Sequence, residues 1–101
     1  MTITSQPSAD GRELTIVING RFDFNAHQAF REAYLRSDVQ PQRYVLDLQG
    51  ANYLDSSVLG MLLLLRDHAG CDEADIRLLN CNPDVRRILQ VSNFEKLFVI
   101  A

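Results

Sequence analysis

Tryptophan is absent, cysteine occurs twice, and the chain carries no excess of basic residues. Ten Lys and Arg stand against thirteen Asp and Glu, for a formal net charge of -3. A protein that neutralises phosphates along a nucleic acid needs the opposite balance, so no nucleic-acid partner is expected. An anionic membrane surface is disfavoured for the same reason. Long hydrophobic runs are also missing. The longest goes from Val58 to Leu65 and contains Gly60, whereas a membrane span needs roughly 20 apolar residues, so no membrane insertion is expected. The start, Met1-Thr2-Ile3-Thr4-Ser5-Gln6-Pro7, has neither a basic stretch nor an apolar core, and a secretion signal is not expected. These features predict a cytoplasmic protein in a reducing compartment. Cys71 and Cys81 are then expected as small, partly buried apolar residues without a disulfide. His27 and His68 fall in no metal-ligand spacing with them, and no cofactor is expected.

What is present describes one globular domain over residues 1–101. The hydrophobic fraction is 47% and the charged fraction 23%, enough for one modest core. Asp10-Gly11 reads as the turn of a hairpin between strands Met1–Ser5 and Glu13–Asn19, with Gly20 breaking the second. Asn25 is a candidate N-cap. Ala26, Ala29, Phe30, Ala33 and Tyr34 then recur at helical spacing, and that helix should end before Pro41. Tyr44 to Leu48 is a short strand. A helix is predicted from Asp55-Ser56-Ser57 to about His68, with Gly70 ending it. Asp75 to Leu79 reads as a strand. Asn82-Pro83-Asp84 opens a third helix, with Asn82 as N-cap, Pro83 in the first turn and Val85, Ile88 and Leu89 as its apolar stripe. Leu97 to Ile100 is a candidate last strand. The order β-β-α-β-α-β-α-β predicts an α/β fold, with a mixed sheet holding parallel pairs and helices packed on it.

The informative segment is Val45-Leu46-Asp47-Leu48 followed by Tyr53-Leu54-Asp55-Ser56-Ser57-Val58-Leu59-Gly60. A buried strand delivers the chain to a turn, and the turn opens a helix. Ser56 and Ser57 thus stand at a helix N-terminus, where free N–H groups and the helix dipole favour negative charge. A phosphate added there brings about -1.5 to -2 charges and three acceptor oxygens to one spot. At about 3.6 residues per turn, Gly60, Leu63 and Asp67 lie on the side of Ser56, and Val58, Leu62, Leu65 and Ala69 lie opposite. The charge on Asp67 predicts that the Ser56 side is wet. Leu59, Leu63 and Leu64 then place apolar side chains beside the serine at a surface. Gly60 costs a helix about 0.8–1 kcal/mol relative to Ala, and its missing side chain leaves room for a partner. Read from the residues alone, the same features also describe an ordinary N-cap and a core helix.

On these residues the chain resembles the STAS family, which groups sulfate transporters and anti-sigma factor antagonists. The family pattern is an apolar-Asp-apolar strand end, a spacer, and Asp-Ser-[Ser/Thr]-x-Leu-Gly opening a helix. Gly20-Arg21-Phe22-Asp23 is similar to the Gly-x-[Leu/Phe]-Asp that follows the second strand. The resemblance covers nearly the whole chain. It implies a STAS-like mixed sheet of four to five strands with helices mainly on one face. It implies a substrate and binding module, not an enzyme. A serine kinase, often the anti-sigma factor itself, would phosphorylate Ser56, and a PP2C-type phosphatase would reverse this. The unphosphorylated form would bind the anti-sigma factor and free the sigma factor. Asp55 is expected to orient the turn or the hydroxyl. Ser57 is a candidate N-cap and a lesser phosphosite, and Asp23 a partner contact shared with Asp55, Ser57, Leu59, Gly60 and Leu63. Val58 departs from the family pattern, where glycine is common. Asp47 is expected to face away from its apolar neighbours, without a catalytic partner.

Two other classes compete. A STAS subunit docked on the ATPase of an ABC-type transporter would use the same helix as a docking face, with phosphorylation irrelevant. A serine hydrolase would need a base, an orienting acid and an oxyanion site. No Gly-x-Ser-x-Gly elbow is present, and His68 lies about 18 Å along the helix from Ser56.

Overall fold

The computed structural model describes residues 2–35 and 41–101; Met1, expected to start the first strand, lies outside them. Two strands, β1 (Thr2–Pro7) and β2 (Glu13–Phe22), form the antiparallel hairpin. The remaining strands are β3 (Arg43–Asp47), β4 (Ala51–Leu54), β5 (Ile76–Leu79) and β6 (Val99–Ile100). The helices are α1 (His27–Tyr34), α2 (Ser56–His68) and α3 (Pro83–Val91). The sheet runs β1-β2-β3-β5-β6, with β4 paired to β2 off that path. Every pairing after the hairpin is parallel. The mixed α/β sheet expected from the element order is therefore present, with six strands where four to five were expected.

The structure differs from the sequence reading at β2 and at the start of α1. Gly20 does not break β2. The residue takes φ +91°, which glycine adopts without the penalty other residues carry, and the strand resumes to Phe22 after a register shift between Gly20 and Arg21. This lets β2 pair with β3 along Glu13–Val17 and with the unexpected β4 along Gly20–Phe22. The Gly20 amide donates to the Gly50 carbonyl at 2.7 Å, closing the junction. The other difference is at α1. Asp23, not Asn25, supplies the cap, accepting from the Asn25 amide at 3.0 Å and starting a 3-10 turn, Phe24–Ala26, that runs into the helix. At α3 the Asn82 carboxamide oxygen accepts from the Val85 amide at 2.8 Å, as expected of an N-cap.

Burial explains the layering. Leu14, Ile16 and Ile18 of β2 are fully buried, while Thr15 and Val17 between them are half-buried. That period-2 pattern turns one face of the sheet to the core. Against it α2 lays Val58, Met61, Leu62 and Leu65, and α3 contributes Val85 and Leu89. Ala69 packs at the margin. Val58 is wholly enclosed and is a core residue of α2. Leu63 and Leu64, by contrast, are 40% and 52% exposed. The two sides of α2 should respond differently to truncation. Leu62→Ala should cost about 3 kcal/mol through lost burial and a residual cavity, and Leu64→Ala less than about 1 kcal/mol. Urea unfolding of the two variants measures this directly.

Candidate functional site

Parallel pairing gathers the chemically interesting loops at one end of the sheet. Phe22 pairs with Leu54, so the residues that follow, Asp23 and Asp55, leave adjacent strands side by side. The Asp55 amide donates to the Phe22 carbonyl at 3.4 Å. Asn82, where β5 gives way to α3, donates through Nδ2 to the Ala51 carbonyl at 3.1 Å. The carboxyl ends of strands in an open α/β sheet are where such folds place their sites.

Asp55 organises this end. Its Oδ1 accepts from the backbone amides of Ser57 at 3.1 Å and Val58 at 3.3 Å, and from the Ser57 hydroxyl at 2.5 Å. Asp55 is therefore the N-cap of α2, correcting the expectation that Ser57 fills that role. Its carboxyl is held below the usual carboxylate range, first by the Ser57 hydroxyl and further by the Val58, Ser57 and Phe24 amides. Ser57, half-buried, has its hydroxyl committed to Asp55. Ser56 is the first residue of α2, is exposed, and hydrogen-bonds through its side chain to none of the described residues.

Around Ser56 lie the other residues singled out in the sequence. Gly60 is exposed, and a Cβ built on it meets nothing within 4 Å. Leu59 is half-buried and Leu63 exposed on the same helix. The Asp23 carboxylate is occupied, by the Asn25 amide and by Arg21 Nε at 3.1 Å. The Arg21 guanidinium in turn lies 3.8 Å from the centroid of the Tyr53 ring. Phe24, 62% exposed, belongs to the same end. Sequence reasoning missed Tyr53 and Phe24 as surface features; their only signal was adjacency to Asp23 and Asp55. It also missed the groove of about 410 Å³ between the start of α2 and α3, lined by Leu54, Ser56, Leu59, Arg87, Ile88, Val91 and Ser92. Asp47, expected to face away, ties loops together by accepting from the Gln49 amide at 3.0 Å and from Asn80 Nδ2 at 3.2 Å. Both cysteines are free; Cys81 is half-buried as expected, but Cys71 is exposed. No helix of the described residues is long and apolar enough to cross a membrane.

A family model described as the MlaB STAS domain matches residues 5–100. The chain belongs to the STAS domain family. A STAS-domain containing protein of Pseudomonas aeruginosa strain UCBPP-PA14 is 66% identical over 101 residues, the whole of both chains. Among solved structures, the anti-sigma factor antagonist SpoIIAA in its unphosphorylated form has a TM-score of 0.80 at 19% identity, covering 99% of this chain and 88% of that one. The Bacillus cell-fate determinant SpoIIAA in its phosphorylated form has a TM-score of 0.66 at 18% identity, covering 99% of this chain and 91% of that one. These likenesses establish a SpoIIAA-like STAS fold.

Two substitutions check the local physics. Asp55→Ala should cost about 1 kcal/mol, the usual worth of an N-cap. Because the folded carboxyl is more acidic than the unfolded one, this contribution is complete above the unfolded value of about 3.9 and is lost as pH falls through the lower folded value. Unfolding of the Ala variant should accordingly be less acid-dependent in that window than unfolding of the parent. Gly60→Ala fills open space on a helix and should stabilise the domain by about 0.8 kcal/mol in denaturant unfolding.

Proposed function

We propose that this STAS domain is an anti-sigma factor antagonist whose binding face is switched by phosphorylation of Ser56. In the unphosphorylated form the domain sequesters an anti-sigma factor and releases the sigma factor to promote transcription. A serine kinase, which the anti-sigma factor itself can embody, transfers a phosphoryl group to Ser56, and a PP2C-type phosphatase removes it. The domain acts as a binding module and kinase substrate in the cytoplasm rather than as an enzyme.

The observation that carries this reading is the contrast between the two serines. Ser57 gives its hydroxyl to Asp55. Ser56, one residue earlier, presents an exposed hydroxyl with no hydrogen bond to any described residue. A kinase can reach Ser56 without unfolding the cap, and a phosphate there leaves the Asp55 contacts in place. Apolar side chains beside it, Leu59 and Leu63, and the open surface at Gly60 supply a face on which a partner can pack closely. Asp23 and Asp55 border this face. The existence of SpoIIAA in unphosphorylated and phosphorylated forms supports the same logic in this chain.

Negative charge introduced into such a contact costs several kcal/mol, enough to end micromolar binding. In calorimetric titration against its anti-sigma partner, Ser56→Ala should bind as the parent does, and Ser56→Asp should lose at least about 100-fold in affinity. Equal binding by the two variants would contradict the switch. Co-purification of both with a transporter ATPase would then favour the docking-subunit reading, in which the same face of α2 serves without modification.

A further inference from the structure

A phosphate on Ser56 would find two of the first-turn donors of the helix already occupied. The Ser57 and Val58 amides are already taken by the Asp55 carboxylate. That carboxylate stands next to Ser56 and repels a dianion, and like charges at short range raise the cost of ionisation. A cation from elsewhere in the fold would offset that repulsion and favour the dianion.

Two arginines come into question at this end of the sheet. Arg21 is engaged by Asp23 at 3.1 Å and by the face of the Tyr53 ring. Arg87, on α3, is exposed and forms no hydrogen bond or ion pair with any described residue. It lines the same groove as Ser56, together with Leu54, Leu59, Ile88 and Val91. An arginine is long, always charged, and carries a planar fork of donors that matches phosphate oxygens in pairs. The groove floor is apolar, so few protein groups compete there for the guanidinium.

We propose that Arg87 is the cation that holds the phosphate on Ser56, spanning the groove between α2 and α3. This rests on Ser56 being the modified residue. The pairing gives the modification a second effect beyond added charge. It draws the guanidinium across Leu59, Ile88 and Val91, of which Val91 is 77% exposed in the unmodified protein. An open apolar groove becomes one covered by an ion pair, and two elements of the domain report the state of one serine.

The test uses the full chain with phosphoserine placed at position 56 during translation, which requires no kinase. The readout is the second ionisation of the phosphate, followed by 31P NMR against pH. A nearby cation favours the dianion and lowers the midpoint. The parent should titrate about half a unit or more below Arg87→Gln. Arg87→Lys, which keeps the charge but not the fork, should fall between them. Arg12→Gln, at the opposite end of β2, should titrate as the parent does. Identical midpoints for the parent and Arg87→Gln would overturn the proposal. A protein that carries no phosphate at Ser56 in its own cells would overturn the switch while leaving this titration readable, so the two failures are distinct.

Discussion

The cap that Asp55 places on α2 is the interaction on which the rest of the site depends. One carboxylate oxygen accepts from two backbone amides and from the Ser57 hydroxyl. That single arrangement fixes where the helix begins, fastens one serine and leaves the other outside. Ser56 occupies the first helical position because the cap stands immediately before it. Moving the start of α2 by one residue would rotate the serine by about 100° around the helix axis and turn it away from the groove shared with Arg87.

The cap is held in place by the sheet. The Phe22–Leu54 pairing brings the end of β2 beside the end of β4, and the Asp55 amide donates to the Phe22 carbonyl across them. Asn82 fastens the start of α3 to β4. Three segments separated in sequence thus meet at one edge, with the enclosed side chains of Val58, Leu62 and Leu65 anchoring α2 beneath them. A charge added at Ser56 acts on an outward surface while the packed layer underneath is untouched. Under the proposed function, that separation would let a domain with one small core change its surface without spending stability on the change.

Much of this was legible in the residues. Asn82-Pro83-Asp84 announced α3 because each residue type satisfies a distinct requirement of a helix start. The spacing of Val58, Leu62 and Leu65 against Gly60, Leu63 and Asp67 gave the inner and outer sides of α2. Local pattern failed where tertiary pairing decided the outcome. β4 spans four residues with Asn52 and Tyr53 both exposed between buried Ala51 and Leu54, so it lacks the alternation that marks a strand. Gly20 reads as a breaker in isolation but serves as a joint, because β2 has a second partner to resume with. Asp55, Ser56 and Ser57 are all competent caps by type, and only the fold selects among them. Arg87 carried no signal at all, since the groove it shares with Ser56 exists only once α3 has docked beside β4.

The central claim is that the exposed hydroxyl of Ser56, and not the fastened one of Ser57, is the modified group. Phosphopeptide mapping of the protein isolated from its own cells tests this most directly. The account predicts a phosphate on Ser56 with Ser57 unmodified. A phosphate found on Ser57 alone, or on neither serine in any growth condition sampled, would contradict it.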